Sequence, residues 1–300
     1  MKSVSLRQLH LFVLVAQTCN LSQAAQKVGL SQSAASMALS ELEALLAARL
    51  FDRIGRRLAL NGFGQQLLPK ALEVVERVAE IEAFAKSGEA ISGPLKIGAT
   101  LTVGNYLLPP YLTAFVERHT AVELSMAVSN TEHIIQQVAN LELDVGFIEG
   151  SCRDSHLHVM PWLKDELCVF ASVCHPLAHQ ACVSMADLDE HQWILREIGS
   201  GTRELFDHNI GARLPAEPKV LMALGETEAI KRAVLSADNA LGCLSLQTLA
   251  HEIDIGLFKA LPVTALDLHR QCYIIFHKDR FRSNALAELL TFVGINTVPK

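Results

Sequence analysis

Three hundred residues, half of them apolar and 19% charged, lie far from the weakly hydrophobic, highly charged corner where chains stay unfolded, and they suffice for two or three domains with buried cores. No run approaches the ~18 consecutive apolar residues of a membrane span, and Met1 to Leu21 mixes Lys2, Arg7, Gln8, His10 and Gln17 into its apolar positions, so neither a span nor a cleaved export signal is expected. Seven scattered cysteines (Cys19, Cys152, Cys168, Cys174, Cys182, Cys243, Cys272) include no Cys-x-x-Cys pair; they fit a cytoplasmic protein and argue against a disulfide framework or a cysteine-rich zinc site.

The formal net charge of −6 is unevenly spread. Residues 1–70 carry eight basic and three acidic side chains, against eighteen and twenty-nine in the remainder. An electropositive head on an acidic body suggests that the head alone meets a polyanion.

From Leu6 to Leu50 apolar residues recur at helical spacing: Leu6, Leu9, Phe12, Val13 and Ala16, then Leu21, Ala24, Ala25 and Val28, then Ala35, Leu39, Leu42 and Leu46. That predicts three short amphipathic helices. The second and third have the marks of a helix-turn-helix, in which two helices cross steeply with close backbone approach. Ala24 and Ala25 keep the crossing small, Gly29 makes the turn, Val28, Leu30 and Ala35 fill the wedge, and Ser31 caps the next helix. Gln32, Ser33, Ser36, Met37 and Ser40 then share the opposite face, where a recognition helix reads a major groove. Arg53, Arg56 and Arg57, in a small hairpin around Gly55, suit phosphate or minor-groove contacts.

Asn61 is placed to cap a longer helix that runs to Ser87-Gly88. Leu68, Leu72, Val75 and Ala79 form a narrow stripe, as in a two-stranded dimerisation seam, with packing on the chain's own later domain as the alternative. Pro69 should bend it. Ser87 to Pro94 has the composition of a hinge. Beyond it, strand-like runs at Leu95 to Ala99, Val122 to Val128 and Asp144 to Ile148 alternate with helical stretches at Tyr106 to His119 and Glu132 to Leu141, an order that implies a parallel sheet. Further strands are expected at Leu167 to Ala171, Trp193 to Arg196, Val220 to Leu224, Leu241 to Ser245 and Cys272 to His277, with helices at Glu226 to Leu235 and Asn284 to Phe292.

Leu6-Arg-Gln-Leu-His-Leu-Phe12, Ser31-Gln-Ser-Ala-Ala-Ser36, Leu42-Glu43 and Arg49-Leu-Phe-Asp-Arg53 closely resemble the N-terminal domain of LysR-type transcriptional regulators. The resemblance extends over the whole chain. It implies a winged helix-turn-helix (α with a small β wing) over residues 1–60, a linker and dimerisation helix over 61–87 and a hinge over 88–94. An α/β two-lobed, periplasmic-binding-protein-like effector domain then fills 95–300, with lobe I at about 95–165 and 270–300 and lobe II at about 166–269. Such regulators are commonly homotetramers that bind double-stranded promoter DNA and answer a small co-inducer. Gln32, Ser33, Ser36 and Met37 become the DNA readers, with Met37 standing where many members carry Arg or another polar residue.

Ligands of two-lobed α/β domains sit at the carboxyl ends of strands, against helix N-termini. Two strand-turn-helix junctions rich in hydroxyls and glycine fit that description: Ala99 to Asn105, with Thr100 and Thr102, and Gly199 to Arg203, with Ser200, Gly201 and Thr202. Their N–H groups and hydroxyls suit a small anion, although each hydroxyl taken singly is equally suited to capping a helix. Arg196 is a possible charge partner, whereas Arg203, in a first helical turn, reads as solvated. Glu149 points into the same cleft; beside an anion it must be protonated, bonded through a hydroxyl of the guest or paired with Arg196. It could equally anchor the hinge. Thr100 to Pro109, Val145 to Gly150, Trp193 to Glu197 and Gly199 to Glu204 look like the YeiE, CysL and CbbR subgroup of the family, its YeiE-like branch above all. That subgroup is tied to sulfite-linked sulfur metabolism or carbon fixation, which favours a sulfite-like oxyanion, with a phosphorylated or carboxylate metabolite as the alternative.

No metal or other cofactor is expected. His175 and His179 flank Pro176 beside Cys174, but no His-Glu-x-x-His motif accompanies them, so capping or surface roles are the simpler reading. Gly199-Ser-Gly-Thr202 is not the hydrolase Gly-x-Ser-x-Gly elbow, and neither a Walker sequence nor Gly-x-Gly-x-x-Gly is present. An enzyme is therefore not expected. A stand-alone anion-binding protein would leave the basic head unexplained.

Overall fold

In the computed structural model, which describes residues 3–55, 57–264 and 266–294, the short polar residues ahead of each apolar run act as helix caps. Ser5 opens α1 (Leu6–Thr18) with a capping box to Gln8, and Asn20 opens α2 (Leu21–Lys27) by accepting from two backbone N–H groups. Ser31 opens α3 (Gln32–Leu46), accepting from Ala34 N–H at 3.2 Å. Gly29 makes the intervening turn at φ +66°, in the left-handed region where a side chain is disfavoured. Ala24, Ala25 and Ala35 are buried together with Leu11, Phe12, Leu39 and Leu42. β1 (Phe51–Ile54) and β2 (Arg57–Leu60) pair antiparallel as the wing.

Asn61 caps α4 (Gly62–Ser87), accepting from Gly64 N–H, and Gly88 ends the helix at φ +73°. The helix continues through Pro69. Its expected seam needs correction, because Leu68 and Leu72 lie inside the core of the head. Three short helices cannot bury their own apolar faces, and α4 supplies the missing wall. The large apolar side chains that α4 leaves exposed are Phe63, Val74, Ile81 and Phe84.

The body begins with β3 (Gly93–Thr100), a π-helical turn (Val103–Leu107) that contains Tyr106, and α5 (Pro109–Arg118). β4 (Val122–Ser129), α6 (Thr131–Ala139) and β5 (Val145–Glu149) follow, and β3 pairs in parallel with both β4 and β5. That is the β-α-β-α-β order expected. Next come β6 (Leu157–Ser172), α7 (Met185–Asp189), β7 (Gln192–Arg196), α8 (Gly201–Asn209), β8 (Lys219–Leu224) and α9 (Thr227–Ser236). The chain continues with β9 (Ala240–Ser245), α10 (Leu246–Asp254), β10 (Phe258–Ala260), β11 (His269–His277) and α11 (Asn284–Phe292). The strand order is β4-β3-β5-β11-β6-β9-β7-β8, with β10 also on β6.

The two lobes follow from that order. β6 pairs along β11 through lobe I and then passes into lobe II, where its last residues pair with β9 and β10. Lobe I is centred on Leu95, Ile97, Phe115, Phe147, Ile274 and Leu289. Lobe II has one core around Trp193, Phe206 and Leu241 and another around Phe170, Ile230 and Leu249, on opposite faces of its half-sheet. The strand expected at Leu167 to Ala171 is only the end of the 16-residue β6, whose first half is masked in sequence by Pro161 and the charged run Lys164-Asp-Glu166. No described helix is long and apolar enough to cross a membrane.

Candidate functional site

On the head, Ala35, Leu39 and Leu42 turn one face of α3 into the core. Gln32, Ser33, Ser36 and Met37 are thereby left on the outer face, with Met37 65% exposed. The first turn of α3 holds no acidic residue. The carboxylate of Glu43 is turned away to accept from Leu50 N–H at 2.8 Å. Arg53 is exposed on the wing. Arg56 lies outside the described residues, and Arg57 is described as part of β2 only. An outward polar helix face beside a basic wing is the shape that enters a major groove while holding the flanking phosphates.

Between the lobes, β3 ends at Thr100 and β5 at Glu149. Glu149 N–H donates to Thr100 Oγ1 at 3.3 Å, the Thr100 hydroxyl contacts the Glu149 carboxylate, and Glu149 is only 2% exposed. Arg270, at the start of β11, stands at the centre. Its Nε and Nη2 approach Asp165 Oδ2 at 2.7 and 2.6 Å. Nη1 donates to Thr202 Oγ1 at 3.0 Å, Nη2 donates to Thr102 Oγ1 at 3.2 Å, and Nη1 lies 3.9 Å from Glu149 Oε1. Ser245 donates to the other Asp165 oxygen at 2.7 Å. One buried guanidinium thus ties Thr102 of lobe I to Thr202 of lobe II.

Burial pushes the Glu149 carboxyl above its ordinary range, opposed first by Arg270 and then by Arg196. Burial would depress Arg270, but the Glu149 and Asp165 carboxylates reverse that and hold it firmly cationic. With two carboxylates facing one guanidinium, the cluster has room for a proton on Glu149.

The Gly199 to Arg203 junction serves partly as lobe contact. The Ser200 hydroxyl caps α8, accepting from Arg203 N–H at 3.0 Å. Gly201 N–H donates to Thr131 Oγ1 at 3.0 Å, and that hydroxyl donates to the Glu149 carbonyl at 2.8 Å. A Cβ on Gly201 would stand 2.2 Å from that carbonyl oxygen, so the two lobes meet here backbone to backbone. Arg196 forks onto Glu197 at 2.7 and 2.8 Å. Its ion pair is therefore not with Glu149, whose ion-pair partner is Arg270. Arg203, expected in solvent, is instead held by Asp207 and by the Arg196 carbonyl.

Polar latches stand on both sides of this centre. The Tyr106 hydroxyl donates to Glu228 Oε1 at 2.8 Å, while Lys231 Nζ reaches Glu228, Glu252 and the Tyr106 oxygen. On the other side, Ser151 Oγ donates to Glu204 Oε1 at 2.6 Å. A cavity of about 330 Å³ lies outside this latch, lined by Arg153, His208, His269 and Arg270 among others. A second, of about 520 Å³, is lined by Thr131, Ile198, Ser200 and Arg203. Thr100, Thr102, Glu149 and Thr202 line neither cavity, so they belong to the closed seam of the lobes. Sequence reasoning missed Arg270, Asp165, Thr131, Tyr106 and Lys231; only the aromatic Tyr106, next to Thr100 to Asn105, carried a local signal.

His175 is buried and caps its turn, Nδ1 accepting from Leu177 N–H. Among the described residues no group of three His, Cys, Asp or Glu side chains could hold a metal ion.

The family model described as "LysR substrate binding domain" matches residues 88–295, and "Bacterial regulatory helix-turn-helix protein, lysR family" matches residues 6–65. The chain is 37% identical to the transcriptional regulator YeiE of Escherichia coli over 297 residues, 99% of each chain. Full-length OxyR from Pseudomonas aeruginosa superposes with a TM-score of 0.72 at 22% identity, over 97% of this chain and 98% of that one. The regulatory domain of Synechocystis CcmR, solved in complex with 2-PG, superposes with a TM-score of 0.61 at 26% identity, over 67% of this chain and 95% of that one. A helix-turn-helix head, a linker helix and a two-lobed body matched over nearly their whole length place this chain in the LysR family, as a ligand-responsive, DNA-binding transcriptional regulator and not an enzyme.

Proposed function

We propose that the effector is a small anion, a sulfite-like oxyanion by preference, bound where Arg270 now joins the lobes. The carrying observation is that a buried guanidinium takes a hydroxyl from each lobe, Thr102 and Thr202. An anion inserted there accepts from Arg270 and from the hydroxyls of Thr100, Thr102, Ser200 and Thr202, with Arg196 and the backbone of Gly201 behind them. Glu149 carries a proton in that state and donates it in a hydrogen bond to the guest, which selects for an oxyanion with an oxygen to spare. Its raised affinity for protons supports this reading. A second reading, a phosphorylated or carboxylate metabolite, is favoured by the cavity beside Arg270 with its Arg153, His208 and His269.

On the head, Gln32, Ser33, Ser36 and Met37 face base edges, while Arg53, Arg56 and Arg57 hold phosphates. Two chains pair through α4, and pairs assemble into a tetramer in which the lobe angle sets the spacing of the heads. The ligand moves this equilibrium only by as much as it prefers one lobe arrangement.

The test is the thermal midpoint of the protein against sulfite, sulfate, thiosulfate, phosphate, phosphoenolpyruvate and ribulose bisphosphate. A ligand that binds only the folded chain stabilises it by about 2.7 kcal/mol at a hundredfold excess over Kd. A rise with sulfite alone is expected. A rise only with the organic phosphates selects the second reading, and no rise with any of them removes the anion sensor.

A further inference from the structure

Lobe I reaches into the DNA-binding head through the turn that follows α6. Leu141 holds φ +59° there, a conformation a branched side chain adopts only when its surroundings compel it. Its side chain is 3% exposed and forms part of the hydrophobic core of the head. The Leu141 carbonyl accepts from Gln17 Nε2 of α1 at 3.1 Å and from Arg280 Nη1 at 3.1 Å. Arg280 Nη2 is shared by two carboxylates, Asp144 of lobe I and Glu76 of the linker helix α4. Asp144 is oriented in turn by Lys96 N–H, which donates to its other oxygen at 2.5 Å. The same face of α4 is held further along by Asn284 N–H donating to Glu80 at 2.8 Å and by Arg77 lying 4.2 Å from the Phe281 ring centre.

Two carboxylates thus converge on one guanidinium at a largely buried junction between head, linker and lobe I. Such a cluster is one proton short of balance. We infer that Arg280 is the positioning residue that couples the effector domain to the DNA-binding head, and that the dock it forms tightens when Glu76 is protonated and loosens when Glu76 ionises.

The facing charges agree with this. Burial is the main influence that lifts the Glu76 carboxyl to about 7, with Arg280 opposing, Asp144 adding to the rise, Lys96 opposing and Glu80 on its own helix adding. From α1, His10 faces Lys96 and is held below its ordinary value by burial and by that lysine. Released into water, Glu76 returns to the ordinary value of 4.5. The docked form therefore binds the extra proton, so docking weakens as pH rises from 4.5 toward 7 and levels off above. His10 works in the opposite direction below about pH 6.5, which places the useful window above it. From pH 6.5 to 8 the docking constant should fall about fourfold.

Amide hydrogen exchange on the full chain, corrected for the intrinsic pH dependence, reads the dock directly. Protection over residues 139–144 and 278–284 is expected to drop about fourfold from pH 6.5 to 8 relative to β9, which pairs with β6 and β7 in lobe II and makes no bond to the dock. In Glu76→Gln, which keeps the shape and loses the titration, the profile should be flat. In Arg280→Met protection around Gln17 and Leu141 should be lost at both pH values while β9 stays protected. A flat wild-type profile, a wild-type slope in Glu76→Gln, or wild-type protection in Arg280→Met each overturns the inference.

Discussion

Arg270 shows what a single side chain does when the protein surrounds it with acceptors. It is almost wholly buried, its nitrogens are engaged by Asp165, Thr102 and Thr202, and it faces Glu149. Removing one partner of such an arrangement leaves uncompensated buried charge, which is far more damaging than the net value of the pair. Arg270→Met should therefore destabilise the chain by about 3–5 kcal/mol, read as the midpoint of urea unfolding; a loss below about 1 kcal/mol contradicts this account. The threonines could be singled out in the sequence because hydroxyls gather at two strand-turn-helix junctions, although each taken singly suits a helix cap equally well. Arg270 was not, since an arginine between His269 and Gln271 at the start of a strand reads as solvated. Asp165 was hidden for the same reason, in a charged run whose burial depends on strands far away in sequence.

The head was the most legible element, because its determinants are local. Caps at Ser31 and Asn61, the left-handed turn at Gly29 and the small residues at the crossing are all fixed within a few positions of where they act. The exposed Arg53 on the wing belongs to the same unit, and an arginine held against phosphate contributes affinity independent of base sequence. Arg53→Ala is expected to weaken binding to every DNA sequence alike and to lower the slope of log affinity against log salt by about 1. Titrations at several salt concentrations measure it, and an unchanged slope removes Arg53 from the contacts. The linker helix was read correctly in extent and wrongly in orientation. Its stripe was counted without knowing that the head needs Leu68 and Leu72 for its own core. Periodicity identifies an apolar face but not which neighbour claims it.

For the whole molecule, the remaining apolar face of α4 is the place to test assembly. Val74, Ile81 and Phe84 are exposed in the single chain, a cost in water that the proposed pairing through α4 would relieve. Ile81→Glu should shift the protein toward monomer in sedimentation velocity, leaving thermal stability within about 0.5 kcal/mol; an unchanged sedimentation profile places the dimer contact elsewhere. The parallel order of β3, β4 and β5 was foreseeable from the alternation of strands and helices, whereas the two-lobed plan was implied only by the resemblance to the LysR family. The resemblance also put the crossings between lobes near residues 165 and 270, but the pairing of β6 with β11 at that crossing was not foreseeable, since pairing between residues a hundred positions apart leaves no periodic trace.

That crossing has a consequence for how the molecule is made. β11 lies between β5 and β6 in the sheet, yet among the described strands it is the last to leave the ribosome. Head and linker are synthesised before residue 88, and the strands of lobe II before residue 261. Lobe I, begun earlier, must wait with the edges of β5 and β6 unpaired until residues 269–277 emerge. The nascent regulator therefore completes its first lobe last, and the strand that closes lobe I is also the one that delivers Arg270 to the junction.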